Sequence, residues 1–115
     1  MGKPIVLDFG EFSLRATLKD TVIAEKFYGI LPVNVKLTTW GGEAYGPVHS
    51  DLGVESPVPS IPRGGLAYTS NGGYICIFYG QTPAWPVEYI GDIDGDSWKR
   101  LMEPFPQTVE IRSQI

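Results

Sequence analysis

Gly65-Leu66-Ala67-Tyr68-Thr69 and Tyr74-Ile75-Cys76-Ile77-Phe78-Tyr79, joined through Ser70-Asn71-Gly72-Gly73, decide how this chain folds. Two runs rich in aliphatic and aromatic residues around a glycine-bearing polar turn read as a β-hairpin. The second run has no polar interruption, whereas a strand with one face in water would alternate, so both of its faces are expected to be covered. An open two-stranded ribbon cannot provide that cover, and it would leave unpaired edges to associate. The expected solution is a sheet wrapped into a barrel, with this hairpin at its centre.

Working outward, Pro4 to Phe9 and Phe12 to Leu18 read as strands around a tight turn at Gly10-Glu11. In the second of these, Phe12, Leu14, Ala16 and Leu18 are expected inward and Ser13, Arg15 and Thr17 outward, by period two. Asp20 or Thr21 is placed to cap a helix running to about Ile30, with Ile23, Phe27 and Ile30 or Leu31 on one face and Pro32 stopping it. Such a helix would close one barrel end. Val33 to Thr39 alternates again, with Val33, Val35 and Leu37 inward, and Gly41-Gly42 breaks it before a short strand, Glu43 to Gly46. From Pro47 to Pro62 no period holds. Pro47, Pro57, Pro59 and Pro62 cannot donate ladder hydrogen bonds, so an irregular loop along the barrel surface is expected, covering or binding something.

Beyond the hairpin, Gln81 to Pro86 reads as a turn, Val87 to Ile93 as a strand, and Trp98 to Met102 as a short helix capped by Asp96 or Ser97 and ended by Pro104. Thr108 to Arg112 is the last strand, with Val109 and Ile111 inward. The pattern predicts one mainly β domain over residues 1–115: a closed antiparallel barrel of about eight strands with two short helices.

Composition narrows the function classes. The formal net charge is −4 and the nine basic residues are scattered singly, so no basic stripe is present to neutralise phosphates; nucleic acid and anionic membranes are not expected partners. No apolar run approaches the roughly 18 residues of a membrane span. The N-terminus reaches Asp8 too soon for a signal peptide, and Val6 stands where the M-G-x-x-x-S/T acylation pattern wants a hydroxyl. A single cysteine, Cys76, excludes an intrachain disulfide and fits a reducing compartment, so the cytoplasm is expected.

The hairpin also carries a family resemblance. Gly65-Leu66-Ala67-Tyr68, a glycine turn, Ile75 to Tyr79 and then Gly80-Gln81-Thr82-Pro83 resemble the central hairpin of cyclophilins. They are more similar to the small prokaryotic cyclophilin-like proteins, whose pattern is roughly G-D-L/V-A-Y followed by C-I/L-F-F/Y-G-x-T-P. Trp40-Gly41-Gly42-Glu43-Ala44-Tyr45 resembles that family's W-G-D-E-I/V-Y segment, and Pro86-Val87-Glu88-Tyr89-Ile90-Gly91-Asp92-Ile93 its P-V-N-V-I/V-G-x-I/V segment. The resemblance runs from about Thr21 onward. It implies a cyclophilin-like β-barrel.

Cyclophilin chemistry is a separate question. Rotation about an X-Pro bond faces a barrier of about 18–20 kcal/mol, which an isomerase lowers by donating a hydrogen bond to the pyramidal nitrogen of the twisted amide. The resemblance implies an arginine donor in an F-H-R segment, followed by a Q-G-G-D turn; neither string occurs. The corresponding strand offers Glu43, which has no proton to donate when ionised. Arg63, just before the hairpin, or a backbone N–H is the available substitute, and a solvated loop arginine is the simpler reading of Arg63. The segments that flank the family's peptide groove supply Trp40, Glu43, Tyr45, Arg63, Tyr68, Ile77, Phe78, Tyr79 and Trp85 as candidate ligand contacts, although core packing is the simpler reading of each aromatic taken singly. Strand parity admits only alternate residues of Ile77, Phe78 and Tyr79 to one face.

No catalytic residue, metal ligand or cofactor site is assigned. His49 has only Asp51 near it in sequence, too little for a metal or nucleophile site. Cys76 reads as a small buried hydrophobe. Asp92, Asp94 and Asp96 alternate as calcium ligands do, but position six of that register is Ser97, not glycine, so a charged turn is the simpler reading. The leading expectation is a protein that binds a proline-containing peptide or small molecule in an aromatic groove without efficient catalysis. A weak or atypical prolyl isomerase and an oligomeric interaction subunit are the alternatives.

Overall fold

In the computed structural model, residues 2–40, 42–80, 85–101 and 107–114 are described, the side chain of Trp40 excepted. Their elements follow in the order β1 (Lys3–Asp8), β2 (Ser13–Leu18), α1 (Val22–Gly29), β3 (Val33–Lys36), β4 (Thr38–Trp40), β5 (Glu43–Pro47), β6 (Gly65–Thr69), β7 (Tyr74–Phe78), β8 (Glu88–Ile93) and β9 (Thr108–Ser113), with a 3-10 turn, Ser97–Leu101, before β9. Neighbouring strands are antiparallel in the order β3-β9-β1-β2-β8-β6-β7-β5-β4. This is the expected mainly β architecture, a nearly closed barrel with nine strands among the described residues.

The ninth strand arises where one was expected. Val33 to Thr39 alternates as a single strand, but it changes partners at Leu37: β3 pairs with β9, from Val33 opposite Ile111 to Lys36 opposite Thr108, and β4 pairs with β5. The Leu37 N–H donates to the Gln107 carbonyl at 2.7 Å at the crossing point. Because β3 and β4 stand at opposite ends of the strand order, the chain itself links the two sheet edges. Closure brings β5 so near β3 that a Cβ on Gly46 would overlap the Lys36 carbonyl oxygen and the Val35 side chain.

Alternation in β2 matches its period, with Leu14, Ala16 and Leu18 buried and Ser13, Arg15 and Thr17 exposed. Phe12 lies just outside the strand and stacks on Phe9, ring centroids 5.2 Å apart. Thr21 caps α1, its Oγ1 accepting from the Ala24 N–H at 3.1 Å. The helix buries Ile23, Ala24 and Phe27, while Ile30 and Leu31 are only partly covered. The second predicted helix is instead the five-residue 3-10 turn, entered through a bond from the Lys99 N–H to the Asp96 carbonyl; Met102 and Pro104 lie outside the described residues. Its expected caps act differently: Ser97 Oγ donates to the Asp94 carbonyl, and the Asp96 carboxylate pairs with Lys99.

The hairpin is covered on both sides by two separate clusters. Leu66, Tyr68, Ile75 and Ile77 face the main core, and Ala67, Cys76 and Phe78 face outward into a second cluster with Ile61 and Val87. The irregular 47–62 loop supplies that outer cover. Val58 and Val87 exchange backbone bonds of 2.8 and 3.0 Å, and Ile61 packs beside them.

Two side chains anchor the loop. The Tyr68 hydroxyl accepts from the Leu52 N–H at 2.9 Å and donates to the Ser50 carbonyl at 3.0 Å. Glu88, 5% exposed, accepts from the Glu55 and Ser56 N–H groups at 2.9 and 3.1 Å. Glu55 in turn accepts from the Val22 N–H at 3.2 Å, placing its charge at the N-terminus of α1, where unpaired amides favour an anion.

Two stability measurements check this account. Gly46→Ala should lower the unfolding free energy by about 1–3 kcal/mol through overpacking at the seam, while Gly29→Ala, with open space around it, should not lower it. Glu88→Ala should cost about 1.5–3 kcal/mol, as expected for lost bonds to a charged acceptor, and should expose the Glu55 and Ser56 amides to hydrogen exchange.

Candidate functional site

The outward side of β5 and β7 gathers the groups with chemical potential. Across this antiparallel pair Glu43 stands opposite Phe78 and Tyr45 opposite Cys76. Directly opposed residues share a face, so Glu43, Tyr45, Cys76 and Phe78 all point outward. Tyr45 and Tyr74 meet at 5.2 Å between ring centroids, tilted by 59°. At the end of β7, the Tyr79 and Gly80 N–H groups both donate to the Gly42 carbonyl at 2.9 Å, which holds Tyr79 beside the start of β5.

Glu43 is a carboxyl in an apolar wall, 9% exposed. Burial pushes its pKa above the ordinary 4.5, and a hydrogen bond from the Cys76 thiol pulls it partly back. The thiol responds in the opposite sense. Burial first, then the charge and hydrogen bond of Glu43, drive Cys76 far above the usual thiol range, so it is an S–H donor and not a thiolate nucleophile. Burial and the Glu43 charge likewise raise Tyr79.

The other buried carboxyl of this sheet is used differently. Glu88 takes two backbone N–H groups that hold a loop in place. For Glu43, the donor found among the described residues is a thiol, one of the weakest that a protein offers. One carboxylate is consumed by the fold, and the other keeps acceptor capacity.

The remaining candidates are distributed on both sides of the wall. Tyr68 and Ile77 face the main core, and the Tyr68 hydroxyl serves the loop. Phe78 faces outward, fully covered, and Tyr79 follows at its edge. The Gly64 N–H donates to the Phe78 carbonyl at 2.7 Å, so the exposed Arg63 stands at the same end of the wall as Glu43. Trp85 stands at the other end, where its Nε1 donates to Thr69 Oγ1 at 3.1 Å while the side chain stays 46% exposed. The side chain of Trp40 and residues 81–84 lie outside the described residues.

Other sequence features are absorbed locally. Asp94 accepts from Thr17, Asp92 from the Tyr89 hydroxyl, and Asp96 pairs with Lys99; among the described residues no group of acidic, histidine or cysteine side chains could hold a metal. His49, at φ 60°, lines an open pocket of about 350 Å³ at the barrel end with Ser50, Asp51 and Ser70. Asp51 is turned back onto the Gly53 N–H. What sequence reasoning missed is the pairing of Glu43 with Cys76, because nothing local to either residue reports strand register. No helix among the described residues is long and apolar enough to cross a membrane.

Comparison with known proteins agrees with this architecture. A family model described as Cyclophilin-like matches residues 3–112. The solution structure of the hypothetical protein AF2241 from Archaeoglobus fulgidus is similar, with a TM-score of 0.75 and 21% identity over 98% of this chain and 95% of that one. McbB, solved in complex with tryptophan, is similar with a TM-score of 0.75 and 16% identity; the match covers 96% of this chain but only 44% of McbB. No curated protein matches the sequence.

The raised Glu43 makes a signed prediction. Its folded-state pKa lies above the unfolded value, so its contribution is fully present below pH 4.5 and is lost as pH rises through the folded pKa. Urea unfolding of wild type and Glu43→Gln should therefore give matching stabilities near pH 4, with the variant the more stable of the two above the folded pKa.

Proposed function

This chain belongs to the Cyclophilin-like family, and from that premise we propose that it binds a peptide segment or small ligand on the outer wall around Glu43, without efficient catalysis of its own. One observation carries the reading: Glu43 is nine-tenths buried on an outward face, yet the described fold spends no backbone amide on it. A buried carboxyl is costly unless something repays its desolvation. Glu88 shows what structural repayment looks like in this sheet, and among the described residues no backbone amide repays Glu43 in that way.

Aromatic neighbours suit such a site. Tyr45 stands two residues from Glu43 on the same face and meets Tyr74 farther along the wall, and the apolar surround strengthens any polar bond formed there. McbB, which is similar in fold and was solved with tryptophan, makes small aromatic compounds reasonable first probes alongside proline peptides.

Prolyl isomerisation has less support. The chain has no F-H-R segment, and Arg63 sits exposed on the connection before β6. A protease-coupled assay on proline peptides should give the uncatalysed rate for wild type and for Arg63→Ala alike. Catalysis that the substitution abolishes would replace this reading with the isomerase. Ligand binding itself should appear as shifts in the Tyr45 and Tyr79 ring signals.

A further inference from the structure

We propose that Glu43 is the recognition group for a ligand nitrogen, and that the ligand of the outer wall is a small aromatic amine carrying a positive charge. This rests on the reading that the outer wall binds a ligand, and adds the chemistry of what it takes.

The argument begins with the unused capacity of the carboxylate. Two oxygens offer about four acceptor positions, and among the described residues the thiol of Cys76 is the donor that reaches them. No lysine or arginine among the described residues is ion-paired with Glu43; the pairs present are Lys99 with Asp96 and Arg112 with Asp8 and Glu110. An ammonium arriving from solvent therefore meets an anion that no cation among the described residues holds in an ion pair, the exposed Arg63 at the same end of the wall included. An anionic ligand would meet the reverse, a like charge in a poorly solvated site.

The surroundings favour the same class. Tyr45 and Tyr74 form a ring pair on the face that carries Glu43, and Tyr79 lies at its edge. Tyrosine faces attract cations electrostatically and stack on flat apolar bodies. The chain already uses this interaction elsewhere, with Lys19 Nζ 4.3 Å from the centroid of the Tyr89 ring. Thirteen acidic residues against nine basic ones give the molecule a field that draws cations in.

Binding of this kind moves a proton. While Glu43 is protonated, an ammonium that takes its place as partner releases that proton to solvent, leaving a carboxylate–ammonium pair. The titratable and charged groups around it are Tyr45 on its own strand, Cys76 on β7, Tyr79 just beyond and the exposed Arg63 at the same end of the wall; burial and the Glu43 charge raise Cys76 and Tyr79, which therefore stay neutral through the same pH range. Amine affinity should therefore rise with pH until Glu43 is ionised without ligand.

The test uses the full chain with three matched probes: tryptamine as cation, indole as neutral body and indole-3-acetate as anion. Calorimetric titration between pH 4 and pH 8 should rank tryptamine first, with heat that depends on the buffer below the folded-state pKa of Glu43, where a proton is released, and not above it. Glu43→Gln should weaken tryptamine by about tenfold, the scale of one charge-assisted bond, leave indole unchanged and abolish the buffer dependence. Glu43→Asp, which keeps the charge, should retain the preference for the amine over the acetate. Indole binding with no preference for tryptamine, or tryptamine binding that Glu43→Gln leaves intact, overturns the assignment of Glu43 while the outer-wall site stands. If neither these probes nor a proline peptide perturbs Tyr45 or Tyr79, the site and the assignment fall together.

Discussion

A strand that is apolar at every position must be covered twice, and the architecture of this molecule follows from that requirement at β7. Ile75 and Ile77 need an interior, which the wrapped sheet supplies. Cys76 and Phe78 need an exterior cover, which a barrel alone does not supply, because its outer surface normally faces water. The proline-rich loop fills that role. Its prolines disqualify it as a regular strand, but Val58 and Ile61 still cap the outward face. Wrapping and strapping are thus two answers to one problem of desolvation.

The strap must itself be held, and it is held by polar groups reaching out from the barrel. Glu88 and the Tyr68 hydroxyl each bind loop backbone, and Glu55 extends the connection to the start of α1. Buried polar groups are retained when their bonds are complete, since each would otherwise carry the full cost of desolvation. The contrast with Glu43 follows directly. Both carboxyls are buried in the same curved sheet, but one accepts two backbone amides and the other rests against a thiol whose own proton burial holds in place. An acceptor of that kind is an asset to a binding protein and a liability to a purely structural one.

Much of the fold was legible because strand and turn signals are local. The alternation of Leu14, Ala16 and Leu18, the glycine turn before Tyr74 and the threonine cap of α1 all depend on neighbours a few residues away. The split at Leu37 was not legible, because a strand that changes partners looks the same in sequence as one that does not. The 3-10 turn differs from the expected helix for a related reason: five residues are too few for helical periodicity to separate the two ladders. Parity left Ile77, Phe78 and Tyr79 undecided until pairing placed Ile77 inside and Phe78 outside.

By itself the sequence determined that the chain would be mainly β, wrapped around the Gly65 to Tyr79 hairpin, without the arginine string of cyclophilin catalysis, since composition and period two are properties of short segments. Only the tertiary structure decided that Glu43 would lie against Cys76 on the outer wall, that Tyr68 would turn inward to serve a loop, and that Trp85 would stand at the opposite end from Glu43. Those placements depend on which strands pair and in what register, and register is settled by the fit of distant segments against one another.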